Sequence, residues 1–149
     1  DLVAVSIAAD IVPITGENRV LAFEGLKRLN SEPRLAFQQL IPTNIKSNVN
    51  ISNVVFSIAP KINAAGRIKH GSEAVRFMLS TNEEDCKRYL NDINSLNNER
   101  KLIDIDITES ALQQLKTVNT SEKFSTIVYD STWNKGVIGI VASRLVVFF

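Results

Sequence analysis

Asp10 is the residue whose type and setting best suit metal chemistry. It closes a run that is almost wholly apolar, Leu2, Val3, Ala4, Val5, Ile7, Ala8 and Ala9, and Ile11-Val12-Pro13-Ile14 follows at once. A carboxylate among such neighbours is costly unless a cation or strong donors satisfy it. A divalent ion would do so, but a catalytic metal needs more protein ligands than one. The rest of the chain does not obviously supply them: it has one His, one Cys and no Asp-x-Asp pair set in an apolar strand. A structural reading stands beside the chemical one. An Asp before Ile-Val-Pro can cap a helix or close a turn with its side chain. On the residues alone, the chain reads as a piece of an enzyme or as an enzyme without its full site.

The composition sets the frame for that site. The 149 residues suffice for one domain or parts of two. With 44% hydrophobic and 22% charged residues the class is globular and soluble. A net charge of +1 neither demands nor excludes a nucleic-acid partner, because a basic surface can hide in a neutral total. One cysteine excludes an internal disulfide framework and suits a reducing cytoplasm. Cys86 falls at an apolar helical position, so packing is its expected role. No apolar run reaches the roughly 18 residues of a membrane helix. The first residues lack the pattern of a signal peptide.

The elements that must position Asp10 are mainly helical. Leu2 to Ala9 fits a buried strand or a short helix, and periodicity does not decide between them. A turn at Thr15 to Asn18 opens a helix with Val20, Leu21, Phe23, Leu26 and Leu29 on one side, ending near Asn30-Ser31. A short helix follows Pro33, then a polar loop from Thr43 to Asn50. Ile51 to His70 suits a helix kinked at Pro60, and Gly71 to Ser80 another short one. Thr81 and Glu84 have the spacing of a capping box. From there Cys86, Leu90, Ile93, Leu96, Ile103, Ile107, Ala111, Leu115 and Val118 recur at spacings of three, four and seven. A helix on the order of 50 Å is expected, of the kind that joins two domains, ended by the polar stretch Asn119 to Lys123. Lys87, Arg88, Arg100 and Lys101 are interleaved with acids and read as its solvated face. Phe124 to Asp130 alternates like a strand. After a loop, Gly136 to Phe148 reads as a helix opening on two glycines, an arrangement that can point backbone N–H groups at an anion. The apolar end, Val146 to Phe149, suggests a domain cut short or a surface that drives self-association.

Three segments carry a resemblance: Leu2 to Arg19 with its Ala9-Asp10-Ile11-Val12-Pro13, Ile58 to Arg67 with its Asn63-Ala64-Ala65-Gly66-Arg67, and Trp133 to Arg144. Their order, their spacing and the long helix before the third resemble the RecJ-like single-stranded-DNA-specific 5′→3′ exonucleases of the DHH phosphoesterase superfamily. The resemblance covers almost the whole chain. It implies an α/β fold class, in a mostly helical fragment. Residues 1–80 would be the end of a DHH domain, 81–118 an interdomain helix and 119–149 the start of a DHH-associated α/β domain.

What the resemblance implies can be carried residue by residue. Such enzymes bind two divalent ions, Mn2+ or Mg2+. Asp10 matches their last metal ligand, and two hard ions would clamp a phosphodiester and activate water. Arg67 would hold a phosphate through its planar fork, and Asn63 would orient a loop or the strand. The plainer reading makes Gly66 a helix C-cap with Arg67 answering the helix dipole. Gly136 and Gly139 would admit close backbone approach, and Ser143 and Arg144 would face the strand. Against this, a helix packed closely on a sheet accounts for the same glycines. His70 is expected to be a solvated surface residue. Two departures matter. Asn134 stands where the family usually carries His, and the Asp-His-His motif that names the superfamily is not in this chain. The implied function is nucleotide removal from the 5′ end of single-stranded DNA in repair and recombination, with repair proteins as further partners, a cytoplasmic location and no membrane. One carboxylate cannot hold two ions, so this chain alone is expected to be inactive and to retain neither. The alternatives are a non-catalytic relative that binds single-stranded nucleic acid, or a phosphoesterase acting on short oligonucleotides or cyclic dinucleotides.

Overall fold

Leu2–Ala9 is a helix, α1, and its first turn shows why. The Asp1 carboxylate accepts the Leu2 N–H at 2.7 Å and is gripped by Arg34, whose Nη2 lies 2.8 Å away. Arg34 also donates to the carbonyl of Met78, so one partly buried ion pair ties three stretches of chain together. A helix apolar all round must be covered on several sides. Accordingly α1 buries Ala4, Val5, Ile7 and Ala8. In this computed structural model, residues 1–116 and 124–146 are described.

The helix α2, Gly16–Ser31, opens on Gly16 at φ +52°, left-handed backbone that favours glycine. It buries only part of the side that the sequence suggests: Leu29 is buried and Leu26 packs against the core. Val20 and Phe23 are 62% and 66% exposed, and the buried residues are Ala22, Gly25 and Leu29. The reason lies at Gly25, where an added Cβ would collide with the Cβ of Ala4. Helices α1 and α2 cross so closely that small residues, not large apolar ones, face the partner.

After Pro33 comes α3, Leu35–Leu40, which buries Ala36, Phe37 and Leu40. The expected loop contains a single 3₁₀ turn, Thr43–Ile45. The Asn30 side chain both donates to and accepts from the backbone of Val49 (2.8 and 2.6 Å), pinning the loop to the end of α2. Asn50 and Asn53 then form a reciprocal cap on α4, Ile51–Asn53. This runs through a π-helical turn, Val54–Ile58, into α5, Ala59–Ile68. The irregularity expected at Pro60 therefore appears just before it. Proline has no N–H to return to the preceding turn, and the backbone widens to longer-range bonds instead.

Next come α6, Ser72–Met78, and α7, Glu83–Lys116. The cap of α7 is shifted by one residue from the expected Thr81 and Glu84. Asn82 accepts the Asp85 N–H and donates to the Asp85 carboxylate, both at 2.8 Å. The predicted end of α7 at Val118 and the polar stretch Asn119 to Lys123 lie outside the described residues.

By its internal contacts the chain divides into two compact units, Asp1–Asn97 and Asn98–Phe149. The core of the first gathers Leu29, Phe37, Leu40, Val54, Ile58, Phe77, Cys86 and Ile93. Cys86 is fully buried there, as its helical spacing suggests. Burial, with a smaller contribution from the Glu83 charge, raises its thiol pKa above the ordinary cysteine value. Cys86 should therefore resist a thiol reagent at pH 8 in the folded protein and react only on addition of denaturant. Prompt labelling without denaturant would contradict this burial.

The second unit comprises the rest of α7, an irregular segment and α8, Ile138–Leu145. In α7 it buries Ile107, Ala111 and Leu115, and at α8 it buries Val137, Val141 and Leu145. No strand occurs among the described residues, so the helical part of the expected fold is seen and its sheet is not. The segment Phe124–Asp130 has the alternation of a strand but no ladder. Instead the Gln114 side-chain amide donates to the Tyr129 carbonyl and accepts from the Tyr129 N–H, both at 3.1 Å. A strand is a property of a pair, and alternation without a partner leaves Phe124, Ile127 and Tyr129 exposed. The helix predicted to run from Gly136 to Phe148 is shorter within the described residues, and Val147 to Phe149 lie outside them.

Candidate nucleic-acid interface

Asp10 ends α1. It is the C-cap residue, its N–H returns to the carbonyl of Ser6 at 3.1 Å, and its side chain is exposed. The apolar run that precedes it in sequence does not enclose it in space. The desolvation cost expected from its neighbours is thus absent, and Asp10 takes the C-cap position through its backbone N–H, not through the side-chain cap that the sequence suggests. A helix C-terminus carries partial negative charge, which favours a cation beside it.

The next residue is unusual. The Ile11 N–H bonds to Ala8 and the Val12 N–H to Ile7, the two hydrogen bonds of a Schellman ending. That ending wants glycine at its left-handed position, and here it holds Ile11 at φ +52°, 80% exposed. A β-branched residue in this region costs about 1–2 kcal/mol. The chain thus turns sharply after Asp10 and presents the carboxylate at the tip of the helix. As one hard oxygen donor, Asp10 fits a divalent ion. Among the described residues, no group of three or more His, Cys, Asp or Glu side chains gathers to complete a site.

The α5 segment is helical throughout. Ala64 and Ala65 are fully buried, Asn63 is half-buried, and Gly66 and Arg67 are exposed. Gly66 does not cap the helix, because α5 continues to Ile68 with Lys69 at its end. Nor does packing demand a glycine, since an added Cβ would make only an ordinary 3.9 Å contact with the Gly71 Cα. His70 lies on the surface, as expected, and its Nδ1 accepts the Ser72 N–H at 3.2 Å, which organises the start of α6.

On α8 the helical repeat separates two faces. Val137, Val141 and Leu145 point inward, while Gly139, Ser143 and Arg144 are exposed. Among the described residues nothing lies within 4 Å of a Cβ built on Gly139, so close packing does not account for this glycine. Gly136 is partly committed, as its N–H donates to the Asn134 Oδ1 at 2.8 Å. The Asn134 carbonyl also accepts from Val137 and Ile138 (3.0 and 3.1 Å), so Asn134 shapes the entry to the helix.

One functional candidate escaped the sequence reading. Asp104, on α7, is only 3% exposed. Its Oδ2 accepts from Arg144 Nη2 at 2.8 Å and lies 3.6 Å from Arg100 Nη1. Arg100 is accordingly not part of a solvated face, since its side chain is 14% exposed. Lys87 and Arg88 do behave as expected, in exposed pairs with Glu83 and Asp85. A signal was present in the sequence: Asn97 and Asp104 fall in register with the apolar stripe Ile93, Ile107 and Ala111, and both are buried.

Comparison with known proteins places this geometry. No family model matches the sequence. The single-stranded-DNA-specific exonuclease RecJ of Bacillus subtilis is 34% identical over 148 residues, which is 98% of this chain and 19% of that protein. RecJ of Haemophilus influenzae is 31% identical over 152 residues, 97% of this chain and 26% of that protein. In three dimensions, the crystal structure of Thermus thermophilus RecJ in complex with Mn2+ matches 97% of this chain and 22% of its own, with a TM-score of 0.85 and 29% identity. The chain belongs with the RecJ-like sequences. It spans about a fifth to a quarter of the length of the curated relatives it matches. A second structure, exonuclease RecJ bound to manganese, aligns with 98% of this RecJ-like chain at a TM-score of 0.82 and 30% identity. Thermus thermophilus RecJ is also described with Mg2+. Among the described residues, no helix is long and apolar enough to cross a membrane.

Proposed function

We propose that the complete protein carrying this chain is a metal-dependent exonuclease that removes nucleotides from the 5′ end of single-stranded DNA, in repair and recombination. The observation that carries this reading is the match of nearly the whole chain, in sequence and in fold, to RecJ exonucleases. Residues 1–80 then belong to a DHH domain, 81–118 connect, and 119–149 open a DHH-associated domain. The division between units at Asn97, inside α7, supports a connecting role for that helix. Asp10 supplies one oxygen to a divalent ion, Mn2+ or Mg2+. Bound ions would neutralise the scissile phosphodiester and lower the pKa of an attacking water. Arg67, with Asn63 beside it, and the Gly139, Ser143 and Arg144 face hold backbone phosphates of the strand. A guanidinium fork suits phosphate oxygens, and an exposed glycine lets a phosphate approach the main chain.

The test is Mn2+-dependent nucleotide release from 5′-labelled single-stranded DNA by the full-length protein. Release from long single strands is the expected result. Binding without release would favour a non-catalytic relative, and release from short oligonucleotides or cyclic dinucleotides alone would favour another DHH phosphoesterase.

Gly66 offers a second check. An exposed helical glycine costs about 1 kcal/mol relative to alanine, and nothing in the packing requires it. Gly66→Ala should therefore raise stability by about that amount in urea denaturation while weakening single-stranded DNA binding several-fold by fluorescence anisotropy. Stability and affinity rising together would remove Gly66 from the interface.

A further inference from the structure

We propose that Asp104 is a positioning residue that holds the Arg144 guanidinium in place for a backbone phosphate of the bound strand. The inference rests on the reading of α8 as part of a single-stranded-DNA interface and extends it to a residue on another helix, forty positions away in sequence.

The two partners live in different surroundings. Asp104 is buried, whereas 45% of the Arg144 side chain is exposed. The arginine therefore reaches inward to Asp104 while its head stays in contact with solvent. A guanidinium carries five N–H donors in a rigid plane. One donates to Asp104 Oδ2, which leaves others free to meet a phosphate on the exposed side. The second arginine, Arg100, approaches the same oxygen from one helical turn earlier.

The pair is not built as stability alone would build it. Two parallel bonds to both carboxylate oxygens are the strongest geometry for an arginine. Here both arginines address Oδ2, and the buried Oδ1 has no hydrogen-bond partner among the described residues. A buried oxygen without a donor costs free energy. A fully bidentate pair would relieve that cost by turning the fork inward. The observed single-point grip instead fixes the guanidinium and keeps its other edge outward. Gly139 and Ser143 of the same helix are exposed as well, so the cation held by Asp104 stays open to a strand that approaches α8.

Positioning and simple electrostatics predict opposite signs, which makes the proposal testable. Removing a negative charge close to a nucleic-acid path should tighten binding if only Coulomb attraction counts. If Asp104 orients Arg144, the isosteric Asp104→Asn should instead weaken binding of the full-length protein to a fluorescein-labelled oligo(dT), by about tenfold. The slope of log affinity against log salt concentration should fall in magnitude by about 0.7, the share of one phosphate contact on a single strand. Arg144→Ala should produce the same two changes. Combining the substitutions should add nothing further, because Asp104 acts through Arg144. Unchanged or tighter binding by Asp104→Asn, with Arg144→Ala still impaired, would overturn the proposal and leave the interface intact. A wild-type protein that does not bind the oligonucleotide would sink the interface and the proposal together. Should Asp104→Asn fail to fold, Arg144→Lys serves instead. Lysine keeps the charge but lacks the fork to serve a carboxylate and a phosphate together. A loss close to that of Arg144→Ala supports positioning, and wild-type affinity contradicts it.

Discussion

Asp10→Ala in the full-length protein should reduce Mn2+-dependent release of 5′ nucleotides from single-stranded DNA at least a hundredfold. Even indirect partners of metal ligands typically cost 10–100-fold when removed, and Asp10 is proposed to be a direct one. The variant should fold normally. The Asp10 side chain is exposed, and the helix ending depends on backbone N–H groups of residues 10 to 12, not on its carboxylate. Removing an acid from a helix C-terminus is even mildly favourable. The proposal thus separates cleanly from a structural role: unchanged thermal stability with activity lost assigns Asp10 to the chemistry. Equal release from both proteins would return Asp10 to capping alone.

The largest effect on stability is expected at Phe77. It is fully buried and shares one cluster with Phe37, Leu29, Ile58, Cys86 and Ile93, drawn from five stretches of the chain. Phe77→Ala removes a ring from that centre and leaves a cavity that rigid helices close only in part. A loss of about 3–5 kcal/mol is expected, a large share of the roughly 5–15 kcal/mol that holds a typical domain folded. Chemical denaturation should show a midpoint displaced accordingly. A shift under about 1 kcal/mol, small for a core truncation, would mean that the cluster repacks.

The sequence by itself determined most of the helices, though not whether Leu2 to Ala9 is a helix or a strand. Regular spacing of apolar residues fixed α7, because a stripe repeating every three to four residues has one way to face a core. Pro33 and Gly16 lie where elements start, since their preferences are local and act whatever surrounds them. The three segments that resemble RecJ were legible as well, and with them Asp10, Arg67 and Arg144 as candidates.

Tertiary structure decided everything that depends on a distant partner. Val20 and Phe23 look like a core face, but Gly25 is what meets α1, because Ala4 comes too close for any side chain. Phe124 to Asp130 alternates as a strand should, yet pairing needs a second strand, and Gln114 takes that place at Tyr129. Asp10 follows an apolar run and is still exposed, for neighbours in sequence do not define burial in space. Asp104 falls in register with the apolar stripe of α7, but register alone does not name its partner. Its burial, and its grip on an arginine forty residues away, arise only when α8 folds against that face of α7. Local rules set the elements, and the contacts between them assign each charged residue to solvent, core or site.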